Sequence, residues 1–412
     1  MACRLKPPTI SSRGNVLEAI LPAIDLISSA LSTFLTYPYS PGFDIKSFGT
    51  ASEALLELYD PKLSVFGANP FPVPTVNYST VVALNYATQN VNWGTGYSAF
   101  ASGDGATGDP ASLGVSAVLI SKTNSTFAWA VNQTATGLLQ DVPRFANGAI
   151  SQRADVAELW ADFMYMAPPF LAYYAADQEN LSLLQETVHQ CTLYRQVLKA
   201  NRTDSMNGLW MHIIGPQNQD TGFWSTGNGW AAAGMTRVLA TVMKATFIPN
   251  EDEGWRQQEI IDGAMAAPQD NGLLRNYLDD TTTDGLGFGE ISGSSLLALS
   301  SYISWADGLR HTISGNDSNG VPRVGTNGIV TPAVNPLWWK DTNPDTTGSP
   351  EGQSFVVLMY AAWRDCVEAR ICSAGAGSSG AARRSVALQR SLKSKHGGLR
   401  RWLARLILGR DS

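Results

Sequence analysis

Between Ala51 and Val367 the chain returns repeatedly to one arrangement: apolar residues at helical spacing, then a long break rich in glycine, asparagine, proline and aromatics. Residues 180–198 set Leu183, Leu184, Val188, Cys191, Leu193, Tyr194 and Leu198 at near-helical intervals. The stretch after Gly229 does the same with Trp230, Met235, Val238, Leu239, Val242 and Met243. Residues 51–59, where Ser52 stands as a capping-box residue, and residues 294–309 and 354–367 complete the set. A helix with an apolar stripe must bury it against another element, so a succession of such segments predicts an all-α array. Alternating strand patterns are scarce: residues 116–122 and 126–132 are the best, and each reads equally well as helix. Loops such as NWGTGY (92–97), GDGATGDP (103–110) and HIIGPQNQDTGFWSTGNGW (212–230) recur between the helices, which points to function at one rim. A barrel of helical hairpins fits this pattern.

The 412 residues, 44% hydrophobic and 16% charged, leave room for one large domain or two ordinary ones. Charge is unevenly placed. From Arg364 to Ser412 there are 11 Lys/Arg against 3 Asp/Glu, which leaves 18 basic and 32 acidic residues in the rest. An acidic body argues against nucleic acid as a partner. The divisions expected are an N-terminal extension with a first helix over 1–49, the helical domain over 50–365, and a basic low-complexity tail over 366–412 that is disordered. LRRWLARLIL (399–408) would make a short basic amphipathic helix, but as a solvated tail it implies no stable membrane association. The apolar run from Val16 carries Glu18, Pro22 and Asp25, so it reads as an amphipathic helix and not as a membrane span.

Cys3, Cys191, Cys366 and Cys372 show no metal-ligand spacing with the four histidines, so no metal or other cofactor is expected. Cys366 and Cys372 are near enough to pair, and the sequence leaves the pairing open. Six sequons, at Asn77, Asn124, Asn132, Asn180, Asn201 and Asn316, favour a secreted protein. MACRLKPPTISSRG does not read as a signal peptide, which keeps a cytoplasmic protein as the alternative.

Three stretches carry candidate chemistry. In ELWADFMYMAPPFLAYYA (158–175), two carboxylates stand inside an apolar run, where burial is costly unless each is paired or used. Read as a helix, Val156, Leu159, Trp160, Phe163 and Met164 form one stripe, with Asp155, Glu158, Asp162 and Tyr165 opposite. That arrangement would leave Asp162 in water. The pair Pro168-Pro169 then interrupts the helix and offers Asp162 a kink or a cap from which to face a cavity. In GFWSTGNGW (222–230), Ser225 or Thr226 would cap a helix, and Trp224 and Trp230 are either core residues or flat faces for a sugar. GDGATG (103–108) matches the spacing of a dinucleotide-binding loop but lacks the flanking strand and helix, so it reads as a glycine-rich loop.

Together NWGTGY, GDGATGDPAS (103–112), LWADFMYMAPPFLA (159–172), FWSTGNGW (223–230) and GFGEISGSS (287–295) resemble, in order, the unsaturated rhamnogalacturonyl hydrolases, glycoside hydrolase family 105, and especially their fungal relatives. The resemblance spans roughly residues 50–365, and its most specific element runs from Trp160 to Ala172. It implies an (α/α)6 barrel of six helical hairpins, the six-hairpin glycosidase fold, with a pocket at one end. It also implies a hydrolase of pectin-derived oligosaccharides that hydrates the C4=C5 double bond of a terminal unsaturated uronic acid. The hydrated sugar then opens and the glycosidic bond falls apart, in contrast to the displacement run by paired carboxylates in ordinary glycosidases. Asp162 would be the single acid and base, with Asp109 as the second acidic residue and Asp104 as its competitor. Trp93, Tyr97, Tyr165, Met166, His212, Trp224, Asn228 and Trp230 would contact the sugar. Apolar neighbours are expected to keep a proton on Asp162 near neutral pH.

Two departures from the family bear on specificity. Bacterial members carry an Arg where this chain has Thr226, and their H-x-W-D is replaced here by HIIG at His212. The uronate carboxylate must therefore be gripped differently, or the substrate differs. A carbohydrate-binding relative without activity, or a glycosidase of altered specificity, is the alternative on the same barrel.

Overall fold

A helix buried on every side has no polar face to reveal its period, and six helices of this chain are of that kind. The computed structural model describes residues 45–372 apart from 102–104, 203, 205, 246–256, 283–284 and 300–301, together with Asp25. The basic tail from residue 373 and almost all of the expected N-terminal helix lie outside the described residues. The buried helices are α1 (Ile45–Tyr59), α4 (Gly114–Ser121), α6 (Phe163–Asp177), α8 (Ser225–Lys244), α10 (Ile291–Leu299) and α12 (Pro350–Glu368). Each packs on the next, and α12 packs back on α1, so the six close a ring.

An outer helix follows each of the first five: α2 (Val82–Gln89), α5 (Ser125–Gln140), α7 (Leu181–Leu198), α9 (Gln257–Ala266) and α11 (Ile303–Ser314). Each outer helix lies on its own inner partner. In α5 the buried side is Phe127, Ala130, Val131, Thr134, Ala135 and Leu138, the one-sided spacing of a surface helix. A four-residue helix, α3 (Gly108–Ala111), packs on α6. This is the all-α barrel of helical hairpins that the sequence predicts, and both strand candidates lie in helices, α4 and α5.

Close approach of backbones holds the inner ring together. Pro168 has no N–H, so the Met164 carbonyl four residues before it loses its helical donor, yet α6 runs on through both prolines. A Cβ on Gly234 would stand 2.0 Å from that carbonyl oxygen, so only glycine lets α8 lie against this part of α6. Gly293 plays the same part between α10 and α8, where a Cβ would meet Ser225 Oγ at 2.2 Å.

Several expectations are corrected. Ser52 is no cap: α1 begins upstream of it, and its Oγ donates to the Ala83 carbonyl and lies 2.8 Å from Ser116 Oγ. Residues 294–309 hold parts of two helices, α10 and α11. The helix α8 starts at Ser225 with no side-chain cap, and Ser225 Oγ donates instead to Glu290 Oε1. Glu290, inside the glycine-rich 287–295 motif, accepts the backbone N–H groups of Ser292 and Gly293 at the start of α10. Asn124 and Asn180, read as sequons, also cap α5 and α7 through their side-chain oxygens. Cys366 and Cys372 form a disulfide at the end of α12. No helix among the described residues is long and apolar enough to cross a membrane.

Inside the ring a buried ion triad joins two helices that are not neighbours in it. Arg237 of α8 donates from Nε to Glu53 Oε2 (2.9 Å) and from a terminal nitrogen to Glu57 Oε1 (2.7 Å), both on α1. Its guanidinium also lies over the Tyr165 ring, 4.9 Å from the centroid.

Candidate active site

The inner helices α1, α6 and α8 all begin at one end of the barrel, and that end gathers a row of charge. The segment before α6 is no helix. Leu159–Trp160 forms a strand, β1, paired antiparallel with β2, Ile213–Ile214, in the register Leu159↔Ile214 and Trp160↔Ile213. The stripe drawn through Val156 to Tyr165 is therefore corrected: its first half is loop and ribbon, and Asp162 is buried at 1% exposure. The ribbon sets the start of α6 beside His212, because the Ala161 N–H donates to the His212 carbonyl (2.9 Å). Asp162 stands at the N-cap position of α6 yet makes no capping bond with its side chain. Its carboxylate turns to His212, Oδ2 lying 3.2 Å from Nε2, while Oδ1 lies 3.7 Å from Lys46 Nζ on α1.

On its other side His212 meets a second acid. Nδ1 lies 3.1 Å from Asp220 Oδ2, which also accepts from the Tyr277 hydroxyl and from Trp339 Nε1 (3.2 Å). Lys340 Nζ reaches within 4.0 Å of the same oxygen from the surface. Three indoles wall the imidazole: the ring centroids of Trp224, Trp339 and Trp160 are 4.5, 5.1 and 5.9 Å away. Asn276 fastens two of them, accepting from Trp224 Nε1 (2.8 Å) and donating to the Trp339 carbonyl (3.0 Å).

Burial alone would raise the Asp162 pKa, but the hydrogen bond and charge of His212, with Lys46 behind, outweigh it and hold the carboxyl below the usual range. This corrects the expectation that apolar neighbours keep it protonated. Likewise burial would lower His212, and its two carboxylates together raise it. Burial would raise Asp220 too, yet His212 and Tyr277 bring it down to about 2. The resting row is Lys46⁺, Asp162⁻, His212⁺, Asp220⁻. An NMR titration of the four histidines should therefore find His212 above the ordinary imidazole pKa, and Asp220→Asn should bring it down; a His212 that titrates below that range would contradict the assignment.

The residues expected around the sugar separate into groups. Asp162, His212 and Trp224 come together. Tyr165 and Trp230 are buried in the core with ring centroids 4.6 Å apart, Tyr165 against Arg237 and Trp230 against Phe355. Asn228 spends its side chain on backbone, accepting from Trp210 N–H and donating to the Trp210 and Trp224 carbonyls. Met166 is buried on the face of α6 that meets α3. Asp109 accepts from Gln152 Nε2 (2.8 Å), and Gln152 N–H bonds the Glu158 carbonyl, so it is tied to the segment leading into Asp162. Asp104 lies outside the described residues. Trp93 is 46% exposed, its ring edge-on to Phe127 of α5, and the Tyr97 backbone lies against Gly137 of the same helix.

Glu158, the other acid of the apolar run, is a loop anchor. Its carboxylate accepts from Trp160 Nε1, from the backbone of Gln217 and Asn218, and from the Asn218 amide. Residues missed by sequence reasoning are Lys46, Asp220, Asn276, Tyr277 and Trp339. Asp220 had a signal, as an acid inside the aromatic 212–230 loop. Lys46 had none, because it arrives from another helix.

A protein-family model for Glycosyl Hydrolase Family 88 matches residues 115–335, more than half of the chain. The chain belongs to glycosyl hydrolase family 88. A possible member of the GH105 family from Salmonella enterica superposes with a TM-score of 0.62 at 15% identity, covering 87% of this chain and 98% of that one. A possible GH105 member from Klebsiella pneumoniae gives 0.63 at 14%, covering 89% and 100%. A family 88 glycosyl hydrolase from Bacteroides vulgatus gives 0.53 at 16%, covering 84% and 98%. No curated protein matches the sequence. The resemblance to the unsaturated rhamnogalacturonyl hydrolases drawn from the motifs is borne out by the family match and these shared folds. This family 88 chain is a glycoside hydrolase whose substrate is an oligosaccharide.

Proposed function

We propose that this glycoside hydrolase acts on oligosaccharides from pectin that end in an unsaturated uronic acid, by hydrating the C4=C5 double bond. The observation that carries the reading is Asp162, a single carboxylate fixed at the head of α6 and bonded to His212 inside a wall of three indoles. In this reading Asp162 gives a proton to C4 of the vinyl ether. Positive charge then develops at C5 and the ring oxygen, and water adds at C5 as Asp162 takes back a proton. The hemiketal opens, and the hemiacetal left at C1 releases the next sugar. One acid that alternates as base suffices for this sequence, whereas direct displacement needs a second carboxylate across the bond. His212 and Asp220 orient Asp162 and keep its return to the ionised form favourable.

The chemistry is read by adding the protein to lyase-digested rhamnogalacturonan and following the ultraviolet absorbance of the conjugated double bond. Loss of absorbance with at least one lyase product supports the reading, and a flat signal across the panel rules it out.

A further inference from the structure

The acid row is electrically balanced before any substrate arrives, and the ligand it would take is an anion. Within the row, one cation touches Asp162 without being held between two carboxylates. Lys46 is 6% exposed, and its Nζ stands 3.7 Å from Asp162 Oδ1. The remaining cations have other places: Lys340 sits at the far end against Asp220, and Arg237 is bound by Glu53 and Glu57. Thr226 offers no charge, and its hydroxyl is buried without a hydrogen-bond partner.

We propose that Lys46 is the residue that recognises the uronate carboxylate, its ammonium passing from Asp162 to the substrate on binding. The inference rests on the hydration reading above. Its geometry follows from the substrate: the carboxyl carbon is bonded to C5, next to the C4 that Asp162 must protonate. An acid placed on C4 therefore lies beside the carboxylate, and a cation touching that acid is within reach of both.

The exchange also resolves a difficulty. A carboxylate held ionised by Lys46 and His212 has no proton to give. When a second carboxylate enters and takes Lys46, the buried row carries one negative charge too many, a state that is costly at low dielectric. Taking one proton onto Asp162 restores the balance. Binding thus supplies the acid form that the first step consumes, and it does so only for a substrate that carries the carboxylate. The other titratable groups facing Asp162 are His212, with Asp220 and Tyr277 behind it, and Tyr194 on α7; burial raises both tyrosines, so neither loses a proton in this exchange.

The test compares an unsaturated disaccharide as free acid with its methyl ester, on wild type, Lys46→Met and Lys46→Arg. Wild type should prefer the acid in kcat/KM by at least about tenfold. Lys46→Met should lose that preference mainly through a higher KM for the acid, and Lys46→Arg should regain part of it. A preference that survives in Lys46→Met, or equal loss on both substrates, would overturn the assignment, since Lys46 would then serve only Asp162. Calorimetry with saturated galacturonate and its methyl ester separates this from the hydration reading. Selective binding of the acid that Lys46→Met abolishes, in a protein that turns nothing over, would sink hydration and keep Lys46.

Discussion

Replacing Asp162 with Asn is expected to lower kcat on an unsaturated uronyl disaccharide by at least about 10³-fold, the upper part of the range for general acid–base catalysis. The expectation is large because one carboxyl serves two steps, giving a proton to C4 and accepting one from water at C5. Asparagine has the size and the acceptor oxygen but neither function. The barrel should stay folded, because α6 is held by its packing on α4 and α8 and not by this side chain. Some stability is lost, since Lys46 and His212 keep their burial and lose an anion. Stopped assays of wild type and variant, with circular dichroism to confirm folding, measure it. Comparable activity in the two proteins would remove Asp162 from the chemistry.

The second large effect concerns the inside of the barrel. Arg237→Met is expected to destabilise the protein by about 3–5 kcal/mol, because it leaves two buried carboxylates, Glu53 and Glu57, without their cation. Methionine fills much of the volume, so the loss reads charge more than cavity. The triad also has a pH signature. Burial pushes Glu57 up from 4.5 to about 7, against the pull of Arg237. A carboxyl whose folded pKa is raised contributes stability that is full below its unfolded value and is lost as pH rises through the folded value. From pH 4.5 to above 7 the contribution of Glu57 therefore falls, by about 3 kcal/mol. Arg237→Met should steepen this slope, and Glu57→Gln should flatten it. Denaturant unfolding of the three proteins across that interval checks both statements, and identical slopes would refute them.

How much of this was legible in the sequence depends on whether a segment shows two faces. Helix α7 has one wet side, so its spacing gave it away almost to the residue, from Asn180 as cap to Leu198. Helix α10 is buried throughout, and 294–309 was read across its end into α11 because nothing polar marked the break. The same blindness put Asp162 on a wet helical face. Residues 155–160 happen to fit a helical stripe, but Leu159–Trp160 pairs with Ile213–Ile214, a contact between distant segments that no local period records. His212 and Trp224 were legible through the motifs around them. Trp230 was not separable from Trp224 by composition, since a core tryptophan and a site tryptophan carry the same side chain; one packs on Phe355 and the other on His212. Lys46 and Trp339 complete the acid row from two far-apart segments, so only the closed ring brings them into view.

The most direct measurement of the central claim follows two signals in one incubation of an unsaturated disaccharide: the absorbance of the double bond and the amount of released sugar. Hydration predicts that the double bond disappears in step with release or ahead of it. Free sugar accumulating while the double bond persists would show ordinary glycosidic cleavage and contradict the account.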